Sequence, residues 1–179
     1  MTARGLTAFS AALALVAATS AHAGQFNIGT DAGNAKGVIA QRFAYRGYGC
    51  TGENVTPSVH WHGAPAGAKS FALTVFDPDA KPTGWWHWIV LDLPTDTTAL
   101  STNARLPPGA HALNNDFGTP GWGGPCPPEG DSPHHYVFTL YALDVPHLVV
   151  SAHARPMEID KAIHAHALAE ASLTLTYGR

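Results

Sequence analysis

Two stretches of the chain decide its fold class, and they read Lys69-Ser-Phe-Ala-Leu-Thr-Val-Phe-Asp77 and Trp86-His-Trp-Ile-Val-Leu-Asp-Leu93. Both are rich in β-branched and aromatic residues and are bounded by turn-forming residues, a composition that predicts β-strands. Because apolar residues occupy both faces of each stretch, we expect two central strands that are covered on both sides.

Further strands are predicted on either side of this pair. The stretch from His135 to Leu143 has the same character, and Val38 to Phe43 and Ser58 to Trp61 are weaker candidates. Leu173 to Tyr177 predicts a short strand that closes the chain. Because strands dominate, the predicted fold class is mainly β, with two layers of strands packed as a sandwich.

One helix is predicted near the end of the chain. Pro156 suits a first helical position, and Glu158 and Asp160 are acids in the first turn, where the helix dipole favours negative charge. The residues on one stripe of this helix are Ile159, Ile163 and His166. We expect the helix to pack outside the strands.

A long irregular segment joins the second and third strong strands, from about Pro94 to Pro133. A connection of this length within a compact domain carries function or is disordered. Trp122, Cys126 and two Pro pairs are poor disorder formers, so we expect this segment to form a stiff wall beside a functional site.

The beginning of the chain has the pattern of a secretory signal peptide. Arg4 precedes an apolar stretch from Leu6 to Val16, and Ala21-His22-Ala23 resembles a cleavage site. We therefore predict that residues 1–23 are removed, that the protein is periplasmic or secreted, and that residues 24–179 form a single domain. The alternative is an uncleaved membrane anchor, but the apolar stretch is shorter than the roughly 20 residues that span a bilayer. No later segment has the pattern of a transmembrane helix.

Charge and cysteine content narrow the class of protein further. The ten Lys and Arg residues are scattered singly and the formal net charge is −3, a pattern that argues against a nucleic-acid-binding surface. Cys50 and Cys126 are far apart in the sequence. In an oxidising compartment such a pair predicts one disulfide, and two buried thiols are the alternative.

Three of the predicted strands carry polar side chains near one end. Because side chains alternate across a strand, His134 and Tyr136 point to one face and His135 points to the other. Asp77 ends one strand on its apolar face. We expect these strand ends to bring their polar groups to a shared edge of the sheet.

The same alternation assigns a face to His87. It places His87 on the face of its strand that carries Ile89 and Leu91. We expect this imidazole to join the other polar groups at the shared edge.

These residue types predict a site for an anion. An Asp that is hydrogen-bonded to one imidazole nitrogen fixes the tautomer and favours the imidazolium, whose other N–H then donates to an anion. Tyr136 adds a hydroxyl donor, and the glycines at 121, 123 and 124 let backbone N–H groups approach a ligand closely.

Several motifs together resemble the phosphatidylethanolamine-binding family, in particular its bacterial Raf kinase inhibitor-like branch. The motifs are Asp77-Pro-Asp79, Trp85-Trp-His-Trp-Ile-Val90 and Gly124-Pro-Cys-Pro-Pro-Glu-Gly-Asp-Ser-Pro-His-His-Tyr136, with Gly52-Glu-Asn-Val-Thr-Pro57, His60-Trp61 and Thr176-Tyr-Gly-Arg179 as further similarities. They cover almost the whole chain after residue 23, in the family's order.

The resemblance implies an antiparallel β-sandwich with one or two peripheral helices and a small pocket that accepts phosphate-like or carboxylate groups. It implies no metal and no cofactor. The pocket residues carried over by motif are Asp77, Asp79, His87, Gly124, Pro128, His134 and Tyr136.

The chain departs from the family's usual pattern at two positions. Lys81 separates Ala80 from Pro82, so the turn after the Asp pair is expected to differ. Trp122 stands where Tyr is commoner, and it replaces a hydroxyl by an indole N–H.

Other classes of function compete with anion binding. A metal enzyme could use His60 and His62, which share a strand face, or His87 and His134 with Asp77. A serine hydrolase is disfavoured because the chain has no Gly-x-Ser-x-Gly motif.

A protein-interaction or inhibitor role would use an aromatic pocket rim. The rings proposed for that rim are Trp85, Trp86, Trp88 and Trp122. The alternative is that some of these rings lie in the core, because alternation turns at least one of Trp86 and Trp88 or their neighbours inward. Kinase inhibition is not inherited from the family's name, because function lies in the site and not in the fold.

We therefore expect a non-enzymatic protein that binds a small anionic ligand, such as a phospholipid headgroup or a carboxylate metabolite. Its hydrogen-bond donors are expected to be His87, His134 and Tyr136. Asp77 and Asp79 are expected to orient the two histidines.

Overall fold

The computed structural model describes residues 25–80, 82–151 and 154–179. The signal peptide predicted for residues 1–23 lies outside the described residues, and so does Lys81, where the chain departs from the family's usual pattern. The strands are β1 Asn27–Thr30, β2 Arg46–Gly47, β3 Cys50–Thr51, β4 Val59–His62, β5 Ser70–Asp77, β6 Trp85–Leu93, β7 Ala99–Leu100, β8 His111–Ala112, β9 His134–Leu143 and β10 Ala167–Tyr177, and the α-helix is α1 Pro156–His166.

The strands form two main antiparallel sheets. Five strands lie in the order β10-β9-β5-β6-β8, and three lie in the order β1-β4-β7. The pair β2 and β3 forms a separate hairpin. The expected central strands, β5 and β6, are neighbours in the larger sheet, which confirms the mainly β, antiparallel fold class.

The hydrophobic core lies between the two main sheets. Trp61 of β4 packs edge-on against Phe71 of β5, with ring centroids 5.7 Å apart. Leu73, Val75 and Phe138 extend this cluster along the inner face of the larger sheet. Alternate residues of the same strands point to the opposite, outer face, so the central strands are covered on both sides as their sequences predicted.

Helix α1 covers part of the outer face. It begins at Pro156, and an oxygen of Glu158 accepts a hydrogen bond from the backbone N–H of Arg155 at 3.0 Å. Ile159 and Ile163 are buried against the outer face of the sheet. His166 instead pairs with Asp144 at 2.9 Å.

Two of the predicted strands differ from those observed. Val38 to Phe43 is not a strand, because Val38 and Ile39 each make only an isolated bridge and Gln41–Phe43 form a 3₁₀ turn. The turn buries the side chain of Phe43, although its residues do not pair with a strand. The last strand is longer than predicted, because β10 begins at Ala167 and pairs with β9 along its length. Alanine has a low strand propensity, which hid this beginning.

A β-bulge sets the direction of His87. Val75 of β5 pairs with Trp88, and the next residue, Phe76, pairs with Trp86, so His87 is an extra residue in β6. The prediction that His87 shares a face with Ile89 and Leu91 is wrong, because those two residues pack on the outer face. The bulge turns His87 inward instead.

The predicted disulfide is present between Cys50 and Cys126. It joins the β2–β3 hairpin to the long segment before β9, across a sequence separation of 76 residues. Within the described residues, no helix is long and apolar enough to cross a membrane.

Candidate ligand-binding site

A cavity of about 510 Å³ lies at one end of the larger sheet, on its inner face. Strands β5, β6 and β9 and the long segment from 94 to 133 all contribute to its lining. The predicted site residues on that lining are Asp77, Asp79, His87, Pro128, His134 and Tyr136. The structure therefore brings together six of the seven residues, although they are spread over 60 positions of sequence.

Gly124, the seventh, is not among the residues that line the cavity. Its backbone N–H donates to Oδ1 of Asn54 at 2.8 Å. A Cβ at this position would collide with the backbone carbonyl of Phe43, so the absence of a side chain allows two segments to pack closely behind the cavity.

The centre of the site is a buried pair of Asp77 and His134. Nδ1–H of His134 donates to Oδ2 of Asp77 at 2.7 Å. Oδ1 of Asp77 accepts backbone N–H groups from Asp79 at 2.8 Å and Ala80 at 3.2 Å. The carboxylate is thereby held from both sides, and the tautomer of His134 leaves Nε2 available to a ligand.

Tyr136 contributes a hydroxyl group without a partner. The side chain is fully buried and lines the cavity. Among the described residues, its hydroxyl makes no hydrogen bond, and the carboxylate of Asp77 lies near it. Burial, followed by the nearby charge of Asp77, raises the pKa of Tyr136, so the hydroxyl keeps its proton and can donate it. This donor is therefore available to an acceptor that enters the cavity.

His87 differs from the expected donor. Its Nδ1–H donates to the carbonyl oxygen of Gly123 at 2.5 Å, because a carbonyl can only accept. Burial lowers the pKa of His87 to about 4, against the opposing effects of this hydrogen bond and of the Asp77 charge. The ring is neutral at physiological pH, and Nε2 is then an acceptor for a proton that the ligand carries.

The bulge explains how His87 is held. Its carbonyl oxygen accepts the backbone N–H of Gly123 at 2.8 Å and the amide of Asn115 at 3.3 Å. The backbone carbonyl of the bulged residue is therefore bonded to the long segment.

Asp79 has a different partner from the one expected. Its Oδ2 accepts from the backbone N–H and from Nδ1 of His135, both at 2.8 Å. The backbone hydrogen bond is the largest cause that lowers the pKa of Asp79. Asp79 therefore orients His135, which points away from the cavity as alternation predicted, and it orients neither pocket histidine.

Three of the four tryptophans proposed for the rim lie elsewhere, and two of them are in the core, as the alternative expected. Only Trp85 lines the cavity. Trp88 and Trp122 are buried in the core, where the indole N–H of Trp122 donates to the carbonyl of Phe43 at 3.0 Å. Trp86 packs on the outer face against Phe76.

Other aromatic rings surround the mouth of the cavity. Phe117 stacks on Tyr45 at 4.1 Å and meets the edge of Trp85 at 5.3 Å. Tyr48, at the tip of the β2–β3 hairpin, is 77% exposed and also lines the cavity. Sequence reasoning missed these rings, although the glycines on both sides of Tyr48 were a signal of a tight turn.

The walls of the mouth are tied together behind the rings. The disulfide links Cys50 to Cys126, which lines the cavity. The guanidinium of Arg179 donates to the carbonyl of Pro127 at 2.7 Å and to that of Gly49 at 3.1 Å. These links hold the hairpin and the Pro-rich wall at a set distance.

The four histidines that suggested a metal site lie in two separate places, and His87 and His134 line the cavity together with Asp77. His60 and His62 are exposed on β4, away from the cavity. In the part of the chain that the structure describes, no group of three or more His, Cys, Asp or Glu side chains could hold a metal ion.

The fold and these motifs together define the class of protein. A model of the phosphatidylethanolamine-binding protein family matches residues 30–178, so the chain belongs to that family.

Bacterial relatives support the same assignment. The chain is 39% identical to the UPF0098 protein YbcL of Escherichia coli over 165 residues, which cover 88% of this chain and 90% of that protein. It is 40% identical to the Escherichia coli UPF0098 protein YbhB over 145 residues, which cover 78% and 91% of the two chains.

A crystal structure of Escherichia coli YbcL, described as a new member of the mammalian PEBP family, superposes with a TM-score of 0.82. It is 37% identical, and the match covers 86% of this chain and 98% of that one. A homologue from Chlamydia trachomatis, described as a putative phosphatidylethanolamine-binding protein, matches with a TM-score of 0.71 at 30% identity, over 86% and 97% of the two chains.

Proposed function

We propose that this protein binds a small anionic group, a phosphate-like headgroup or a carboxylate, without catalysing a reaction on it. The observation that carries the proposal is the buried Tyr136 hydroxyl, which has no partner among the described residues and lies in the same cavity as His134. An anion oxygen placed there would accept the Tyr136 proton and complete the site.

The neighbouring histidines offer the ligand one donor and one acceptor. Nε2 of His134 donates to a ligand oxygen when the ring holds both protons, and Asp77 holds the ring in position. Neutral His87 offers Nε2 as an acceptor for any N–H or O–H of the ligand. Dihydrogen phosphate, a singly charged anion, could use all of these groups, whereas a carboxylate or a phosphodiester would use the donors alone.

The composition of the lining supports binding without covalent chemistry. Among the described residues that line the cavity there is no Ser, Thr or Lys, and Cys126 is in a disulfide. That part of the lining therefore has no hydroxyl of Ser or Thr, no free thiol and no amine to act as a nucleophile.

The test is binding of inorganic phosphate to the wild type and to two matched variants. His134→Ala removes the ring held by Asp77, whereas His135→Ala removes the exposed neighbouring ring on the other face of β9. We expect titration calorimetry to show phosphate binding to the wild type and to His135→Ala but not to His134→Ala. Equal affinity of all three proteins would refute the site.

Tyr136→Phe tests the observation that carries the proposal. The variant removes only a hydroxyl that has no protein partner among the described residues, so the folded state should be at least as stable as the wild type. We expect phosphate to bind about tenfold more weakly, since a hydrogen bond to a charged group is worth about 1.5 kcal/mol. Unchanged affinity would show that the hydroxyl does not contact the ligand.

We further propose that the protein is exported. The signal pattern of residues 1–23 and the disulfide between Cys50 and Cys126 support this proposal. One relative, 43% identical over 98 residues, is named a putative lipoprotein of Mycobacterium tuberculosis, and this chain covers 48% of it. Cell fractionation with N-terminal sequencing should find a periplasmic or secreted protein that begins at Gly24; cytoplasmic protein that retains Met1 would contradict export.

A further inference from the structure

The carboxylate of Asp131 lies beside the nitrogen of His134 that faces the ligand. Oδ2 of Asp131 is 3.9 Å from Nε2 of His134, and both residues line the cavity. This separation is too long for a hydrogen bond, but at such a distance one unit charge strongly affects another. Any anion that binds Nε2 therefore lies within the field of the Asp131 carboxylate.

Asp131 differs from the other carboxylates of the cavity lining. Asp77, Asp79 and Asp116 each accept a backbone N–H at 2.8 Å. Among the described residues, the Asp131 carboxylate contacts only His134. The side chain of Asp131 is 53% exposed. Its charge is thus the least compensated of the four and the one most open to the cavity mouth.

The other described residues of the lining do not offset the negative charge of Asp131. Among the described lining residues there is no Lys or Arg, and the basic side chains are His87 and His134. His87 is neutral at physiological pH. A ligand with two negative charges would therefore face Asp131 with no Lys or Arg as a counterion on this part of the lining.

We propose that Asp131 is a specificity-determining residue of this site. Its carboxylate competes with the ligand for Nε2 of His134, and it selects singly charged anions, phosphodiesters and carboxylates, over doubly charged phosphate monoesters. The inference rests on the anion binding proposed above and adds a ligand class to it.

The size of the effect follows from the charge product. One pair of unit charges a few ångströms apart in water changes an equilibrium by about fivefold. The repulsion doubles for a dianion, so the factor is squared, to about 25-fold. Removal of the Asp131 charge should therefore favour the two ligand classes unequally.

The experiment compares dimethyl phosphate with methyl phosphate at pH 7, where the monoester is mostly a dianion. Dissociation constants are measured by calorimetry for the wild type, Asp131→Asn and Glu129→Gln. Glu129 is the matched control, because it is exposed in the same loop and is not among the residues that line the cavity.

We expect Asp131→Asn to bind dimethyl phosphate about fivefold and methyl phosphate about 25-fold more tightly than the wild type. Glu129→Gln should change both constants by less than about twofold, because its charge is separated from the site by solvent. Equal gains for both ligands in Asp131→Asn, equal gains in Glu129→Gln, or no change at all would overturn the role of Asp131. Failure of every protein, wild type included, to bind either ligand would instead refute the proposed function.

Discussion

Acidification should destabilise the protein through His87, and the size of the effect can be derived from the structure. Burial lowers the pKa of His87 from 6.5 to about 4 in the folded state. The unfolded chain therefore binds this proton more tightly than the folded protein does. The contribution to stability is fully present above pH 6.5 and is lost as the pH falls towards 4.

The magnitude follows from the two pKa values. One pKa unit corresponds to about 1.4 kcal/mol, so the whole contribution is about 3 kcal/mol. Between pH 7.5 and pH 4.5 the expected loss from this group alone is about 2–3 kcal/mol. For a domain whose total stability is about 5–15 kcal/mol, this loss is large.

The assay is urea unfolding at both pH values for the wild type and His87→Asn. The Asn amide can still donate to the carbonyl of Gly123, but it does not titrate. Other titrating groups contribute to both proteins and cancel in the comparison. The free energy of unfolding should fall by about 2–3 kcal/mol more in the wild type than in the variant. Equal falls in the two proteins would refute a buried, neutral His87.

Three further predictions concern the supports of the site. Replacing Cys50 and Cys126 by Ser should lower the free energy of unfolding by about 4 kcal/mol, because the bridge closes a long loop. Urea unfolding would show this loss, with a steeper slope because the unbridged unfolded chain exposes more surface, and a loss under about 1 kcal/mol would contradict it. Asp77→Ala should lower the free energy of unfolding by about 3 kcal/mol, since it leaves the imidazole of His134 and two backbone N–H groups without their acceptor. In the same urea assay, a stability equal to that of the wild type would argue against the buried pair. Gly124→Ala should lower the free energy of unfolding by about 1–3 kcal/mol, because the new Cβ would collide with the backbone carbonyl of Phe43. Thermal unfolding measures this loss, and an unchanged midpoint would show that the close packing there can relax.

Part of the candidate site could be predicted because alternation along a strand is a local property. It correctly separated His134 and Tyr136 from His135, and β9 has no bulge at these positions. The same rule was wrong for His87, because an extra residue in β6 is recognisable only against its partner strand. The outcome for a given residue therefore depended on whether its strand pairs regularly.

Partners of charged side chains could not be predicted from position alone. Asp79 was expected to orient a pocket histidine and instead bonds His135, although the spacing of the motif is unchanged. Asp131 was not singled out at all, because an Asp in a Gly- and Pro-rich loop has no periodicity to assign it to a face. The Asp131 carboxylate comes close to His134 only when the loop is folded against β9.

By itself, the sequence determined the mainly β class, the strands that carry the site, the helix at Pro156–His166 and the Cys50–Cys126 pair. These features depend on composition and on the period of a single segment. The tertiary structure alone decided that His87 turns inward, that three of the four tryptophans lie away from the cavity, and that Asp131 approaches His134. Each of these depends on contacts between segments distant in the chain, and no pattern within one segment can specify such contacts.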